Sequence, residues 1–195
     1  MDVRSPVPLI RGLQDLYGFV QVPVTVAELD FKNGVTFLRG YYHGKIIEKF
    51  QVYENGLLCE TSNDTDLADE FLSEILAWAT REHNLPVKET GVRAYISQLE
   101  VISQIDMESK LSRLSQVGKL LAEFLKGYGQ PVANYGISGL RMHYDSMATP
   151  IPRPPHFAFE RRVGQEYSTN EFFTSAPIRT KDHLEILNAL EKAFE

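Results

Sequence analysis

The chain has 195 residues, of which 43% are hydrophobic and 24% charged, with 20 Lys and Arg against 26 Asp and Glu. That balance excludes a disordered polymer, and the length is enough to bury a core without disulfides or metal. The formal charge of −6 argues against broad binding of a phosphate backbone, and no stretch approaches the length of a membrane-crossing helix.

Cys59 is the only cysteine, so an intramolecular disulfide framework is excluded and a reducing compartment is favoured. Asp2, Arg4, Arg11 and Asp15 break up any apolar run near the start, so a secretory leader is not expected and the cytoplasm is the expected location.

Residues 6–17 predict a first helix. Ser5 is placed to cap it, Pro6 suits its first turn, and Leu9, Leu13 and Leu16 share one face, with Gly18 as the stop. From 19 to 31 the alternation of Val20, Val22, Val24 and Val26 predicts a strand. Leu29 and Phe31 fall out of phase, which a bulge near Ala27 reconciles, and Pro23 puts this strand at a sheet edge.

The stretch 29–76 carries the clearest pattern. Three β-runs, 35–42, 45–54 and 57–62, are preceded by Asn33-Gly34 and separated by His43-Gly44 and Asn55-Gly56, pairs that reach the positive φ of tight hairpin turns. A three-residue loop at the first turn sets Phe31 opposite Val35 and Leu29 opposite Phe37, the only register that gives an apolar face. The turn at His43-Gly44 pairs Tyr41 with Ile46, Arg39 with Glu48, Phe37 with Phe50 and Val35 with Val52. One directly opposed charge pair therefore interrupts the inward face, which reads as a salt bridge at the sheet margin.

A helix is predicted over 66–83, with Leu67, Phe71, Leu72, Ile75, Leu76 and Ala79 at helical spacing. Asp66, Asp69 and Glu70 at its start and Arg81 and His83 at its end suit the helix dipole. Trp78 either widens the buried face or marks an interface. Residues 84–91 form the one internal linker candidate. A strand over 92–105 follows, then a helix over 107–126 capped by Asp106, with Leu111, Leu114, Leu121 and Leu125 as its stripe and Gly118 placed for close packing. The last section predicts strands at 135–145, 156–163 and 171–178. A closing helix capped by Thr180 presents Leu184, Leu187, Leu190 and Phe194.

The expected fold is α+β: antiparallel β-meander sheet material with amphipathic helices packed on one face or at its ends, forming one compact domain over 1–195 with a weak subdivision near 84–91. No phosphate loop, paired-cysteine metal motif or nucleophile elbow is present. The strongest polar grouping is Arg141, His143 and Asp145 on one face of a strand and His156, Glu160 and Arg162 on one face of the next, joined by a loop with Pro150, Pro152, Pro154 and Pro155.

If the two strands pair, these six residues form a binding patch. Its two arginines favour an anion or a protein carboxylate over a metal ion, so no metal and no cofactor are expected there. The leading functional expectation is a non-catalytic protein-interaction or assembly module that self-associates. The alternative is a metal-assisted hydrolase or small-ligand enzyme using His143, Asp145, His156 and Glu160. Nucleic-acid binding would need Arg141, Arg153, Arg161 and Arg162 to line up as a basic stripe, which the acidic background disfavours.

Overall fold

The computed structural model describes residues 6–85, 91–130, 135–145, 147 and 153–195. Ser5, Pro150, Pro152 and most of the 84–91 stretch lie outside the described residues. The chain divides into two compact units, Met1–Arg93 and Ala94–Glu195, a boundary two residues beyond that stretch. The fold is α+β, with one antiparallel sheet of three strands and one of four.

In the first unit, α1 (Val7–Tyr17) ends at Gly18, whose left-handed backbone turns its N–H back to Gln14 O at 2.8 Å. Its buried residues are Leu13 and Tyr17, while Leu16, expected on the same face, is exposed. Gly12 explains the rotation. An added Cβ there would lie 2.5 Å from Trp78 Cζ2, so α1 rests its glycine on the indole. Trp78 is thus core.

The meander is formed by β1 (Val35–Tyr42), β2 (Lys45–Tyr53) and β3 (Gly56–Thr61), in the order β1-β2-β3. Val35 faces Val52, Phe37 faces Phe50 and Tyr41 faces Ile46, the expected register. The inward face departs from expectation at Arg39, which takes φ 53° in mid-strand, while the ladder from β2 to β3 shifts between Ile47 and Lys49. This paired bulge reverses the phase. Gly40, Tyr42 and Ile47 turn inward, and Tyr41, Ile46, Arg39 and Glu48 turn out to solvent. Two charges leave the core at the cost of one strained residue, a cheaper outcome than desolvating them.

The strand expected over 19–31 does not form. One bridge, Gln21 to Leu38, is followed by a 3-10 turn at Val26–Glu28. Pro23 has no donor for a ladder, and the Glu28 carboxylate accepts from the N–H groups of Val24 and Thr25 at 2.8 Å each. Val20, Val24 and Val26 consequently point to water. The expected pairs Phe31–Val35 and Leu29–Phe37 give way to a turn built on Asp30. Its side chain accepts from Lys32 and Asn33, and its carbonyl accepts from Gly34 N–H.

Over the meander lies α2 (Thr65–His83), whose cap Asp64 accepts from Leu67 N–H at 2.9 Å. Phe19, Phe37, Phe50 and Phe71 form an aromatic core. Phe50 meets Phe37 with centroids 5.6 Å apart and meets Phe71 edge-on at 5.5 Å. At its rim the Glu74 carboxylate accepts from Tyr17 Oη at 3.1 Å and Tyr42 Oη at 3.0 Å.

The second unit contains β4 (Ser97–Ile102), shorter than the expected 92–105, then α3 (Met107–Lys110) and α4 (Ser112–Gly127). The predicted single helix is interrupted at Leu111, whose backbone at φ −106° and ψ 32° is not helical. Asp106 caps as expected, accepting from Ser109 N–H at 3.0 Å. Strands β5 (Gly139–Met142), β6 (Phe157–Arg161) and β7 (Glu171–Ala176) complete a sheet in the order β4-β7-β6-β5, and α5 (Thr180–Phe194) closes the chain. The core holds Ile105, Met107, Phe159, Phe172 and Leu190. In α5 the inward positions are His183, Leu187, Leu190 and Phe194, and Leu184 is exposed, which moves the expected stripe by one residue.

Candidate functional site

The four-stranded sheet has two faces set by the period of two along each strand. Phe157 and Phe159 of β6 and Phe172 and Thr174 of β7 belong to one face, while Arg141, His143, His156, Glu160 and Arg162 belong to the other. The strands β5 and β6 do pair, with Arg141 opposite Ala158 and Met142 opposite Phe157, so the next step along the ladder brings the two histidines together. Their rings stack with centroids 4.8 Å apart and planes 24° from parallel.

Arg141 Nε and Glu160 Oε1 form a short ion pair. The guanidinium, as hydrogen-bond donor, holds the Glu160 carboxyl below the usual carboxylate range, and Glu160 raises Arg141 in turn. Arg162 turns away from this pair and reaches Glu100 Oε2 at 2.8 Å and Glu171 Oε2 at 3.5 Å. Asp145 accepts from Met147 N–H at 2.9 Å. Five of the six residues predicted from alternation therefore share a solvated face but divide into smaller groups, and Asp145 lies beyond the end of β5. Glu100 and Glu171, which belong to β4 and β7, were not among them.

This arrangement constrains the chemistry. Stacked imidazoles set their in-plane lone pairs side by side, whereas one metal ion held by both requires them to converge. Among the described residues no group of three or more His, Cys, Asp and Glu has metal-holding geometry. Arg141 and Arg162 each already hold a carboxylate, which offsets the charge open to an incoming anion. A hollow of about 210 Å³ lies beside Arg162, lined by Glu100, Ile102, Glu171 and Phe172, smaller than the roughly 300–1,000 Å³ of typical ligand pockets.

The four arginines of a nucleic-acid reading do not form one stripe. Arg161 lies on the opposite face from Arg141 and Arg162, with its guanidinium 4.3 Å from the Tyr167 ring centroid and 5.2 Å from that of Phe172.

A buried group escaped the sequence reading. His183 is fully buried, with Thr174 Oγ1 at 2.9 Å from Nε2 and Ser97 Oγ at 3.0 Å from Nδ1. Thr174 donates its hydroxyl proton to Ala158 O at 2.9 Å, so it can only accept from His183. Nε2 therefore carries the proton, and Nδ1 of the neutral ring accepts from Ser97. Burial pushes the His183 pKa down, consistent with that neutral form. A serine hydroxyl donating to an imidazole resembles an activated nucleophile, but Ser97 is itself buried. The signal for this group was the spacing 183, 187, 190, 194, which fits the core-facing side of a helix.

The other conspicuous surface is on α4, which buries no residue. Leu114, Val117, Leu120, Leu121, Phe124 and Tyr128 are all exposed, from 39% at Leu121 to 75% at Tyr128. Its flank is held instead by Gly118, where an added Cβ would lie 2.0 Å from Tyr135 O.

No family model, no curated protein and no solved structure matches the chain.

Proposed function

We propose that this protein is a non-catalytic protein-interaction or assembly module that self-associates in the cytoplasm. The apolar face of α4 carries the reading. An amphipathic helix ordinarily covers its stripe with its own domain, and a contiguous exposed one marks an interaction surface. The lone Cys59 fits a reducing compartment, and among the described residues no helix is long and apolar enough to cross a membrane. The polar sheet face around Arg141, His143, Asp145, His156, Glu160 and Arg162 serves in this reading as a second contact surface, where carboxylates of a partner exchange with Glu160 and Glu100. Sedimentation of the full chain over a wide concentration range tests the reading. A mass that rises above one chain of 22.2 kDa is expected, and a monomer at every concentration overturns it.

A further inference from the structure

Resting on that reading, we infer that the occupant of the α4 face is α4 of a second copy, packed antiparallel about a two-fold axis at Leu121. The first argument is area. Leu114, Val117, Leu120, Leu121, Phe124 and Tyr128 together present on the order of 500 Å² per copy, counting the aromatic side chains at roughly 150–250 Å² each and the Leu and Val side chains at less. This is in the upper part of the roughly 300–600 Å² of the largest patch on an ordinary monomer. It is more than half of the roughly 800 Å² per partner of a standard interface.

The second argument is charge. Leu114, Val117, Leu121, Phe124 and Tyr128 recur at intervals of three and four and form one stripe. Lys119, Glu123 and Lys126 fall on the far side of the helix by the same spacing, so pairing leaves them in water. Arg113 alone flanks the stripe. Antiparallel packing about Leu121 sets Leu114 against the partner's Tyr128. It also brings Arg113 to the C-terminal end of the partner's helix, where unpaired carbonyls favour a cation. Parallel packing instead sets Arg113 beside the partner's Arg113 and aligns the two helix dipoles. The same surface patch is used twice, as a closed two-fold dimer requires.

Cysteine cross-linking in a Cys59→Ala background tests the arrangement, using a short bis-maleimide and single substitutions at exposed positions. Leu121→Cys is expected to cross-link to a covalent dimer. Leu114→Cys and Tyr128→Cys should not cross-link alone, because each is about 21 Å from its own symmetry mate. An equimolar mixture of those two variants should cross-link. Phe124→Glu should shift the sedimenting species to the monomer with an unchanged circular dichroism spectrum. Cross-linking of Leu114→Cys alone, or a dimer that persists in folded Phe124→Glu, overturns the antiparallel α4 pairing while leaving self-association through another surface. A monomeric wild type overturns both.

Discussion

At the scale of single residues, burial decides what Cys59 can do. It lies on β3, partly packed against the aromatic core, and that burial pushes its thiol up to about 12, with Glu60 adding to the rise. Since the thiolate is the reactive species, its population at neutral pH falls roughly a thousandfold below that of a cysteine with the usual value. Alkylation of the native chain by iodoacetamide at pH 7.5 is expected to be slower than that of the urea-unfolded chain by two orders of magnitude or more. Equal rates would place Cys59 at the surface. The same reasoning keeps His183 neutral, since its neighbours are hydroxyls and a ring, with Phe157 edge-on at 6.1 Å, and none supplies a compensating negative charge.

At the scale of elements, the meander is held by Phe50, which contacts rings from three directions and is fully buried. Phe50→Ala is expected to cost about 3–5 kcal/mol in a denaturant titration, and near-wild-type stability would remove it from the core. Its register was legible because Gly44 and Gly56 leave little freedom in loop length, so the pairing of Phe37 with Phe50 follows from counting.

Apolar alternation was a poorer guide over 19–31, because it records which side chains are oily and not whether a neighbouring strand has donors to offer. Counting also missed the bulge at Arg39. Only tertiary context shows that a left-handed residue there is cheaper than a charge pair facing Phe71 and Phe19. For the polar sheet face, period two placed five of the six residues on one side and the pairing of β5 with β6 brought the histidines together. The carboxylates that hold Arg162 lie 62 residues earlier and 9 later in the sequence, on other strands, which local spacing cannot connect.

At the scale of the molecule, each unit has its own core. Every buried residue of the aromatic cluster belongs to Met1–Arg93, and every one of the second cluster to Ala94–Glu195. Their titratable groups also push in opposite directions. In the first unit, burial followed by interaction with Glu74 raises the phenols of Tyr17 and Tyr42, the latter to about 12. A raised folded value means the native state holds its proton longer. This stabilisation is therefore fully present below the ordinary phenol value of about 10 and is lost as pH rises through about 12.

In the second unit, His183 is lowered by burial, so the unfolded chain binds the proton more tightly. That contribution is present above the ordinary imidazole value of about 6.5 and is lost as pH falls through the lower folded value. Alkali should therefore weaken the first unit and mild acid the second. The single tryptophan, Trp78, is buried in the first unit and reports on it alone. On acidification from pH 7 to 5, hydrogen exchange in α5 is expected to accelerate while the Trp78 emission maximum stays fixed. Replacing His183 with Gln should flatten the acid response, and raising pH past 10 should move Trp78 first. If Trp78 and α5 instead respond together at both extremes, the chain unfolds as the one cooperative domain that its length allows.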